Sequence, residues 1–235
     1  MLKRGLAALQ RAMPDPHDFI FLPRFFSLAE QRVLLTTALE KLDAMENIQS
    51  RRRRRKALLG TERSMLPISA SNPLQDVFFP DEYYDFEKGH FDGVTKHFRE
   101  MHLTSWPSDI PGLPSILTRL HSLFPPQDVQ THLLHLATNG EIHPHIDNVG
   151  ASGSWILGVS LGAERLLHLE GQNGNSDCFQ VLLPSGSVYI QRDGLRFDYK
   201  HSILMKGTYD GREILGGQRL SIMIRDRLPS SVTAA

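Results

Sequence analysis

Three residues near the middle of the chain have the types and the spacing of a metal site. They are His143, His145 and Asp147, which alternate in the segment EIHPHIDN and share one face if that segment is extended. Successive residues on such a face stand about 7 Å apart, so two adjacent members can bind one ion. Two histidines and one carboxylate leave open positions on an iron ion, as non-haem Fe(II) oxygenases require. The pair His145 and Asp147 therefore predicts two ligands of an iron site.

The third ligand must come from a distant strand. His201 is the best candidate, because it follows RFDYK in a predicted strand and lies far enough downstream to return to the facing sheet of a jelly roll. His143 is the rival, but three ligands from one strand would reach too far around a single ion. We therefore predict that His143 is a polar residue near the pocket mouth. A cupin-like metal enzyme, which would pair His143 with His145, stays open as an alternative, although the glutamate that it also needs does not follow within a few residues.

A second group of chemically active residues lies on the last predicted strand. Arg219 and Arg225 share one face of the segment QRLSIMIRD. Guanidinium groups on an interior face need an anion, because an uncompensated buried charge is costly. Arginine binds carboxylates through two parallel hydrogen bonds, so we predict that Arg219 binds the distal carboxylate of 2-oxoglutarate. Arg225 is predicted to lie nearer the metal or to steady Asp147.

Two alternatives accompany this prediction. Tyr189, in the predicted strand before His201, can offer its hydroxyl to the same carboxylate, or it is a core aromatic residue with a solvated tip. If Arg219 and Arg225 instead bind a phosphate or an acidic group of a partner, the chain is a metal-free jelly-roll binding module. The remaining histidines are predicted to be surface or hydrogen-bonded core residues.

The second half of the chain has the pattern of a β structure that can position these groups. Beyond Gln127, short aliphatic or β-branched runs alternate with turn clusters such as TNG and PSGS. About eight strands preceded by helices predict an α+β fold, a double-sheet jelly roll with supporting N-terminal helices. The candidate strands lie near 129–137, 141–147, 155–161, 165–169, 178–183, 187–192, 197–202 and 218–226.

The first half of the chain is predicted to be mainly helical. Ser27 and Glu30 form an S-x-x-E capping box at the start of a helix over 27–42. Helical spacing also predicts helices over 86–101 and 115–123.

The basic run RRRRRK at 51–56 is a block of like charges, so we predict a solvated loop. A contact with RNA through this run is the functional alternative.

Length and composition limit the classes of protein. A chain of 235 residues with 40% hydrophobic and 22% charged residues predicts one globular domain and excludes collagen, coiled coil and wholesale disorder. The net charge of +0 excludes a global attraction to nucleic acid. The single Cys178 excludes an intrachain disulfide framework and Cys-rich metal sites. No apolar run is long enough to span a membrane, and we expect a monomer.

The two ends of the chain are set apart from the predicted domain at 15–228. Residues 1–14 carry basic residues and leucines at helical spacing, and no acidic residue. This pattern predicts a mitochondrial presequence, with a frayed N-terminal helix as the alternative. Residues 229–235 are predicted to be a C-terminal tail.

The order of the candidate site residues resembles a known family. An H-x-D pair, a later histidine and an R-x5-R pattern are similar to the AlkB-like branch of the Fe(II)/2-oxoglutarate dioxygenases. More narrowly, four segments resemble the mitochondrial alkB homologue seven subgroup, and the resemblance covers most of residues 19–227. The segments are 90–106, 142–148, 186–204 and 216–225.

The resemblance implies a double-stranded β-helix with three bound reactants, namely Fe(II), 2-oxoglutarate and O2. It implies Fe(II) at His145, Asp147 and His201, with 2-oxoglutarate held by Tyr189, Arg219 and Arg225. The implied reaction is hydroxylation of a C–H bond, which leaves an alcohol on a side chain and demethylates an N-methyl group. The implied substrate is a protein or methylated mitochondrial RNA in the mitochondrial matrix, with a link to fatty-acid metabolism and regulated necrosis.

The sequence departs from the AlkB repair enzymes at two points. Those enzymes carry an N-x-Y motif before H-x-D for co-substrate binding, and Leu134 and Leu136 stand at these places. Ser221 replaces the asparagine that repair enzymes usually have between the arginines. The similar subgroup also lacks the nucleotide-recognition lid, which argues against base flipping from a duplex.

Overall fold

The computed structural model describes residues 15–59, 74–150, 152–172 and 177–227. In these ranges the chain forms four α-helices: α1 (Leu28–Met45), α2 (Ile48–Leu59), α3 (Leu113–His121) and α4 (Asp193–Asp198). The same ranges contain twelve strands. They are β1 (Phe19–Leu22), β2 (Glu87–Gly89), β3 (Thr95–Leu103), β4 (Val129–His145), β5 (Trp155–Gly162), β6 (Arg165–Gly171), β7 (Cys178–Leu183), β8 (Ser187–Arg192), β9 (Tyr199–Leu204), β10 (Gly207–Tyr209), β11 (Arg212–Ile214) and β12 (Arg219–Asp226).

Ten of the strands form one antiparallel sheet that rolls up on itself. The main path runs β1-β8-β5-β12-β4-β9-β6-β7, and β3 pairs with both β4 and β2. Strand β4 pairs with β12 over its first half and with β9 at Ile142 and His145, so it passes from one side of the roll to the other. We call the side with β1, β8, β5, β12 and β3 the major wall, and the side with β9, β6 and β7 the minor wall. The predicted α+β double-stranded β-helix is confirmed.

Two apolar cores hold the roll together. The first lies between the outer face of the major wall and helices α1 and α3, and it includes Leu35 and Ile222. The second lies between the two walls and includes Leu134 from the major wall and Ile203 from the minor wall. The inner faces of both walls therefore surround the interior in which the predicted site residues lie.

Helix α1 begins with the predicted capping box. The Ser27 backbone N–H donates to Glu30 Oε2 at 2.8 Å, and the Glu30 N–H donates to Ser27 Oγ at 3.4 Å. The predicted helix is confirmed, and it continues three residues further, to Met45.

The helix predicted over 86–101 is wrong, because this segment forms strands β2 and β3. Phe98 packs in the core between the walls, whereas Leu103 packs in the outer core, as alternating strand residues do. A bulge between Lys96 and Phe98, with His97 at φ 48, interrupts this alternation and produces a spacing that looks helical.

Two predicted strand boundaries also change, and one further strand pairs with β8. The two strands predicted over 129–137 and 141–147 are one strand that ends at His145, so Asp147 lies in the loop that follows. Residues 193–198, part of which was predicted as a strand, form the short helix α4 before β9. Strand β1 was not predicted, and it pairs with β8 over four residues.

The loop predicted for the basic run 51–56 is wrong, because these residues belong to helix α2. The side chain of Arg54 is only 3% exposed. It forms ion pairs with Asp43, at 3.2 Å, and with Glu46, and it donates to the Tyr83 carbonyl at 2.7 Å. Arg99 of β3 contacts the same two carboxylates at 2.6 and 2.7 Å. Asp43 of α1 and Glu46, the residue that follows α1, therefore neutralise one arginine of the run and one of the sheet.

The predicted presequence at 1–14 and the predicted tail at 229–235 lie outside the described residues. Within the described part of the chain, no helix has both the length and the apolar character that crossing a membrane requires.

The buried position of Arg54 leads to a stability prediction. We expect Arg54→Ala to lower the free energy of unfolding by about 3 kcal/mol, because it removes one partner of a buried ion pair and leaves carboxylates incompletely compensated. Arg52→Ala is the matched control, because the Arg52 side chain is exposed on the same helix, and it should change that free energy by at most about 0.5 kcal/mol. Urea unfolding followed by circular dichroism measures both. Equal effects of the two substitutions would contradict the role of Arg54.

Candidate metal centre and co-substrate site

The end of β4 and the neighbouring strand β9 bring two histidines and one aspartate together. His145 is the last residue of β4, and His201 lies directly opposite it in β9, with ring centroids 4.3 Å apart. Asp147 Oδ1 lies 3.1 Å from His145 Nε2 and 3.7 Å from His201 Nε2. One ligand atom from each of the three residues lies within 4.8 Å of the others. The three predicted ligands therefore converge.

The route by which His201 reaches the site differs from the prediction. The sequence suggested that it returns on the sheet facing the H-x-D segment, whereas His201 is the direct cross-strand neighbour of His145. This is possible because β4 itself crosses to the minor wall before it ends. A register shift between Ile142 and His145 accompanies the passage of β4 to the minor wall.

His143 does not join the cluster, since its Nε2 contacts Glu141 Oε1 at 2.9 Å.

Hydrogen bonds from the surrounding chain orient two of the three residues. His145 Nδ1 lies 2.9 Å from the His143 carbonyl, which can only accept, so this nitrogen donates and Nε2 presents its lone pair to the site. Buried Arg196 of α4 donates to the Asp147 carbonyl at 3.2 Å and to Ser152 Oγ at 2.8 Å. These contacts fix the loop that carries the carboxylate.

The protonation states suit metal binding. Burial alone would raise the pKa of Asp147, but nearby positive charge, which includes the Arg225 guanidinium, outweighs it, so the pKa lies below its ordinary value. Burial lowers the pKa of His201 to about 4, so its imidazole is neutral at pH 7. Metal ligands must be an ionised carboxylate and neutral imidazoles, which are the forms present here.

The donor set also has suitable spacing for Fe(II). Adjacent ligands about 2.1 Å from a six-coordinate ion stand about 3 Å apart. The two Asp147 distances, 3.1 and 3.7 Å, are close to this value. Two imidazoles and one carboxylate form the facial set that non-haem iron sites use.

Two arginines of β12 occupy different places in the site. Arg225 lies at the metal end, where its guanidinium contacts Asp147 Oδ2 at 2.8 Å. Arg219 lies deeper and is 1% exposed, and its Nε donates to Ser160 Oγ at 3.0 Å. Among the residues that the structure describes, no carboxylate forms an ion pair with Arg219. A buried cation without a countercharge is energetically costly, and an anionic ligand would lower this cost.

Tyr189 lies beside Arg219 because its neighbour on β5 is a glycine. Gly158 is paired with Tyr189, and a Cβ at Gly158 would stand 2.4 Å from the tyrosine ring. The Tyr189 ring is buried, and its hydroxyl interacts with the Arg219 guanidinium. Burial raises the pKa of Tyr189, so its hydroxyl stays protonated and able to donate.

A cavity of about 430 Å³ adjoins the three converging residues. Its polar lining residues include Glu100 and His102 of β3 and His132 of β4. Sequence reasoning missed the two β3 residues, because it assigned their segment to a helix or left it unassigned. The alternation of polar residues at 100 and 102 with apolar residues at 101 and 103 was the signal for a strand with one face in a pocket.

A family model and two curated relatives agree with this geometry. A family model described as the 2OG-Fe(II) oxygenase superfamily matches residues 18–225. Two curated relatives are the mitochondrial alpha-ketoglutarate-dependent dioxygenase alkB homolog 7 of Bos taurus and of Mus musculus, each 31% identical to this chain, over 146 and 144 residues. Each alignment covers 60% of this chain and 65% of the relative, so the chain spans just under two thirds of their length. A crystal structure of a Pseudomonas putida prolyl-4-hydroxylase aligns with a TM-score of 0.48 at 10% identity, over 91% of this chain and 94% of that one.

The family match includes all six residues that the sequence predicted for the site. The resemblance to AlkB-like proteins is confirmed by the two relatives. The cofactors of the matched family are Fe(II), 2-oxoglutarate and O2, and the converging histidines and aspartate suit the iron. The chain therefore belongs to the 2OG-Fe(II) oxygenase superfamily, and its two curated relatives are AlkB homologues.

Proposed function

We propose that this chain is an Fe(II)- and 2-oxoglutarate-dependent dioxygenase of the mitochondrial matrix. The observation that carries the proposal is the convergence of His145, Asp147 and His201 near a buried guanidinium. This guanidinium belongs to Arg219, which has no carboxylate partner among the described residues. The names of the two relatives support a mitochondrial location.

In this proposal His145, Asp147 and His201 hold the iron. The bound iron supplies oxygen chemistry in which 2-oxoglutarate is oxidised to succinate and CO2, and one atom of O2 enters the substrate as a hydroxyl group. Arg225 keeps the Asp147 carboxylate ionised and oriented. The surrounding walls exclude water from the reacting groups.

Arg219 and Tyr189 bind the distal carboxylate of 2-oxoglutarate. Ser160 accepts from Arg219 Nε at 3.0 Å, which leaves the terminal guanidinium nitrogens for the anion. Leu134, at the place of an asparagine in AlkB repair enzymes, lies on the inner face and offers no polar side-chain atom. Co-substrate binding therefore depends more heavily on Arg219 and Tyr189 in this chain.

The substrate candidates are a protein side chain and N-methylated mitochondrial RNA. On a side-chain carbon the hydroxyl group remains, whereas on an N-methyl group the hydroxylated product releases formaldehyde, so the chain would be a demethylase. The exposed arginines of α2 favour RNA, and the acidic lining of the cavity favours a protein. The links to fatty-acid metabolism and regulated necrosis, and the monomeric state, stay predictions.

Two alternatives fit the geometry less well. A cupin-like site would need His143 beside His145, but the His143 ring faces Glu141. A metal-free binding module would not need an ionised carboxylate placed between two imidazoles.

Succinate formation tests the proposal directly. The purified full chain with Fe(II), ascorbate and 2-oxoglutarate should form succinate slowly without substrate. Asp147→Ala should lower this rate by more than about 100-fold, since changes in outer-shell partners of metal ligands already cost 10- to 100-fold. His143→Ala is the matched control and should stay near the wild-type rate. A wild-type rate in Asp147→Ala would overturn the proposal.

Removal of the buried guanidinium should weaken binding of 2-oxoglutarate. We expect Arg219→Ala to raise the KM for 2-oxoglutarate by about 30-fold or more, because truncating one partner of a buried charge pair costs about 2 to 5 kcal/mol. Arg212→Ala removes an exposed arginine of β11 and should leave this KM unchanged. An unchanged KM in Arg219→Ala would remove this residue from the site.

The packing of Tyr189 on a glycine gives an independent test. Gly158→Ala should displace the tyrosine ring and raise the KM for 2-oxoglutarate about tenfold, through loss of a hydrogen bond to a charged group. Gly89→Ala is the control, because a Cβ there would stand 3.8 Å from its nearest neighbour, an ordinary contact. If both variants kept the wild-type KM, Tyr189 would not bind the co-substrate.

A further inference from the structure

The cavity beside the metal centre contains a carboxylate that the proposed iron and 2-oxoglutarate sites do not use. Glu100 lies on β3 opposite Leu134 of β4, and His102 lies opposite His132. These positions are on the inner face of the major wall, since Leu134 packs in the core between the walls. The Glu100 side chain is 32% exposed, and it lines the same cavity as the metal residues.

The neighbouring histidines hold Glu100 in place. His132 Nε2 lies 3.1 Å from Glu100 Oε2, and the His102 ring stacks on the His132 ring at 4.8 Å. The hydrogen bond from His132 lowers the pKa of Glu100, so the group is a carboxylate at neutral pH. Among the described residues, no hydrogen bond or ion pair occupies the second oxygen, Oε1.

The charge of the cavity selects for a cation. Among the described residues, the lining besides the metal residues includes two acidic residues, Glu100 and Asp92, three histidines and one arginine, Arg225. Arg225 is already paired with Asp147 at 2.8 Å. A phosphate placed near Glu100 would be repelled, whereas a protonated nitrogen would find a free carboxylate oxygen.

The basic helix α2 lies on the other face of the sheet. Arg99 and Glu100 are consecutive strand residues, so their side chains point to opposite faces. Arg99 contacts Asp43 and Glu46, the same carboxylates that bind Arg54 of α2. The arginine run therefore packs behind the strand that carries Glu100 and does not line the cavity.

The rim of the cavity has an apolar surface, and a second concavity lies next to the cavity. Phe91 is 95% exposed, and it lines the rim together with Val94. His102 lines a second concavity of about 530 Å³, which also includes Trp106 and Asp128. This arrangement provides apolar contacts for a methylene chain and room for the residues that flank it.

We infer that Glu100, oriented by His132, binds the protonated nitrogen of a lysine or arginine side chain in a protein substrate. The inference rests on the proposed dioxygenase function and names the substrate class of the same site. Glu100 pairs with the cation, Phe91 packs on the aliphatic stem, and a C–H bond of the bound segment lies toward the metal residues. His132 is a positioning residue.

The test measures binding without turnover. The full chain is loaded with Mn(II) and 2-oxoglutarate, and fluorescence anisotropy gives the Kd of three labelled peptides that differ only in a central lysine, norleucine or glutamate. The lysine peptide should bind wild-type protein about tenfold more tightly than the norleucine peptide. Glu100→Gln should reduce this ratio to about one, and Glu100→Lys should shift the preference to the glutamate peptide.

Glu213→Gln is the matched control, because it removes an exposed carboxylate of β11 outside the cavity, and it should keep the wild-type preference for lysine. The inference is overturned if wild-type protein shows no preference for lysine, or if Glu100→Gln keeps that preference. A single-stranded RNA that contains 1-methyladenosine is included as a further probe. Tighter binding of this RNA than of every peptide would overturn the inference that the substrate is a protein.

The test of this inference can fail independently of the test of the proposed function. Peptide affinities are read with a metal that does not support turnover, whereas succinate formation is read with Fe(II) and no substrate. Loss of the lysine preference in an active enzyme contradicts only the inference, and absence of succinate contradicts the proposed function.

Discussion

The pairing of His145 with His201 across β4 and β9 is the contact on which the rest of the site depends. It exists because β4 is long enough to pair with β12 in the major wall and then with β9 in the minor wall. The strand ends at this crossing, so the following loop places Asp147 beside both imidazoles. The three converging side chains therefore lie at the junction of the two walls, where they also line the cavity.

The buried arginines show how the fold distinguishes structural cations from a ligand site. Arg54 and Arg99 share two carboxylates at the C-terminal end of α1, and Arg165 donates to backbone carbonyls, including that of Gly217 at 2.7 Å. Carboxylates compensate the charges of Arg54 and Arg99, and several backbone carbonyl oxygens accept from Arg165. Arg219 contacts only hydroxyl-bearing side chains among the described residues. Since an uncompensated buried charge is costly, an anionic co-substrate is the natural partner at this position.

Much of the site could be predicted from the sequence, because its ligands lie in short motifs on strands with clear alternation. The residues His145, Asp147 and Arg219 belong to patterns that are readable without the fold. The position of Glu100 in the cavity could not be predicted from the sequence, since a bulge at His97 disturbs the alternation of residues along β3. Arg54 was also missed, because its partners lie on another helix, and a block of like charges predicts solvation when such partners are unknown.

The most direct test of the central claim is the stoichiometry of Fe(II) binding under anaerobic conditions in the presence of 2-oxoglutarate. The account predicts one tightly bound ion per chain in the wild-type protein and in His143→Ala, and loss of that ion in His201→Ala. Iron binding of wild-type affinity in His201→Ala, or no uptake by the wild-type protein, would contradict it.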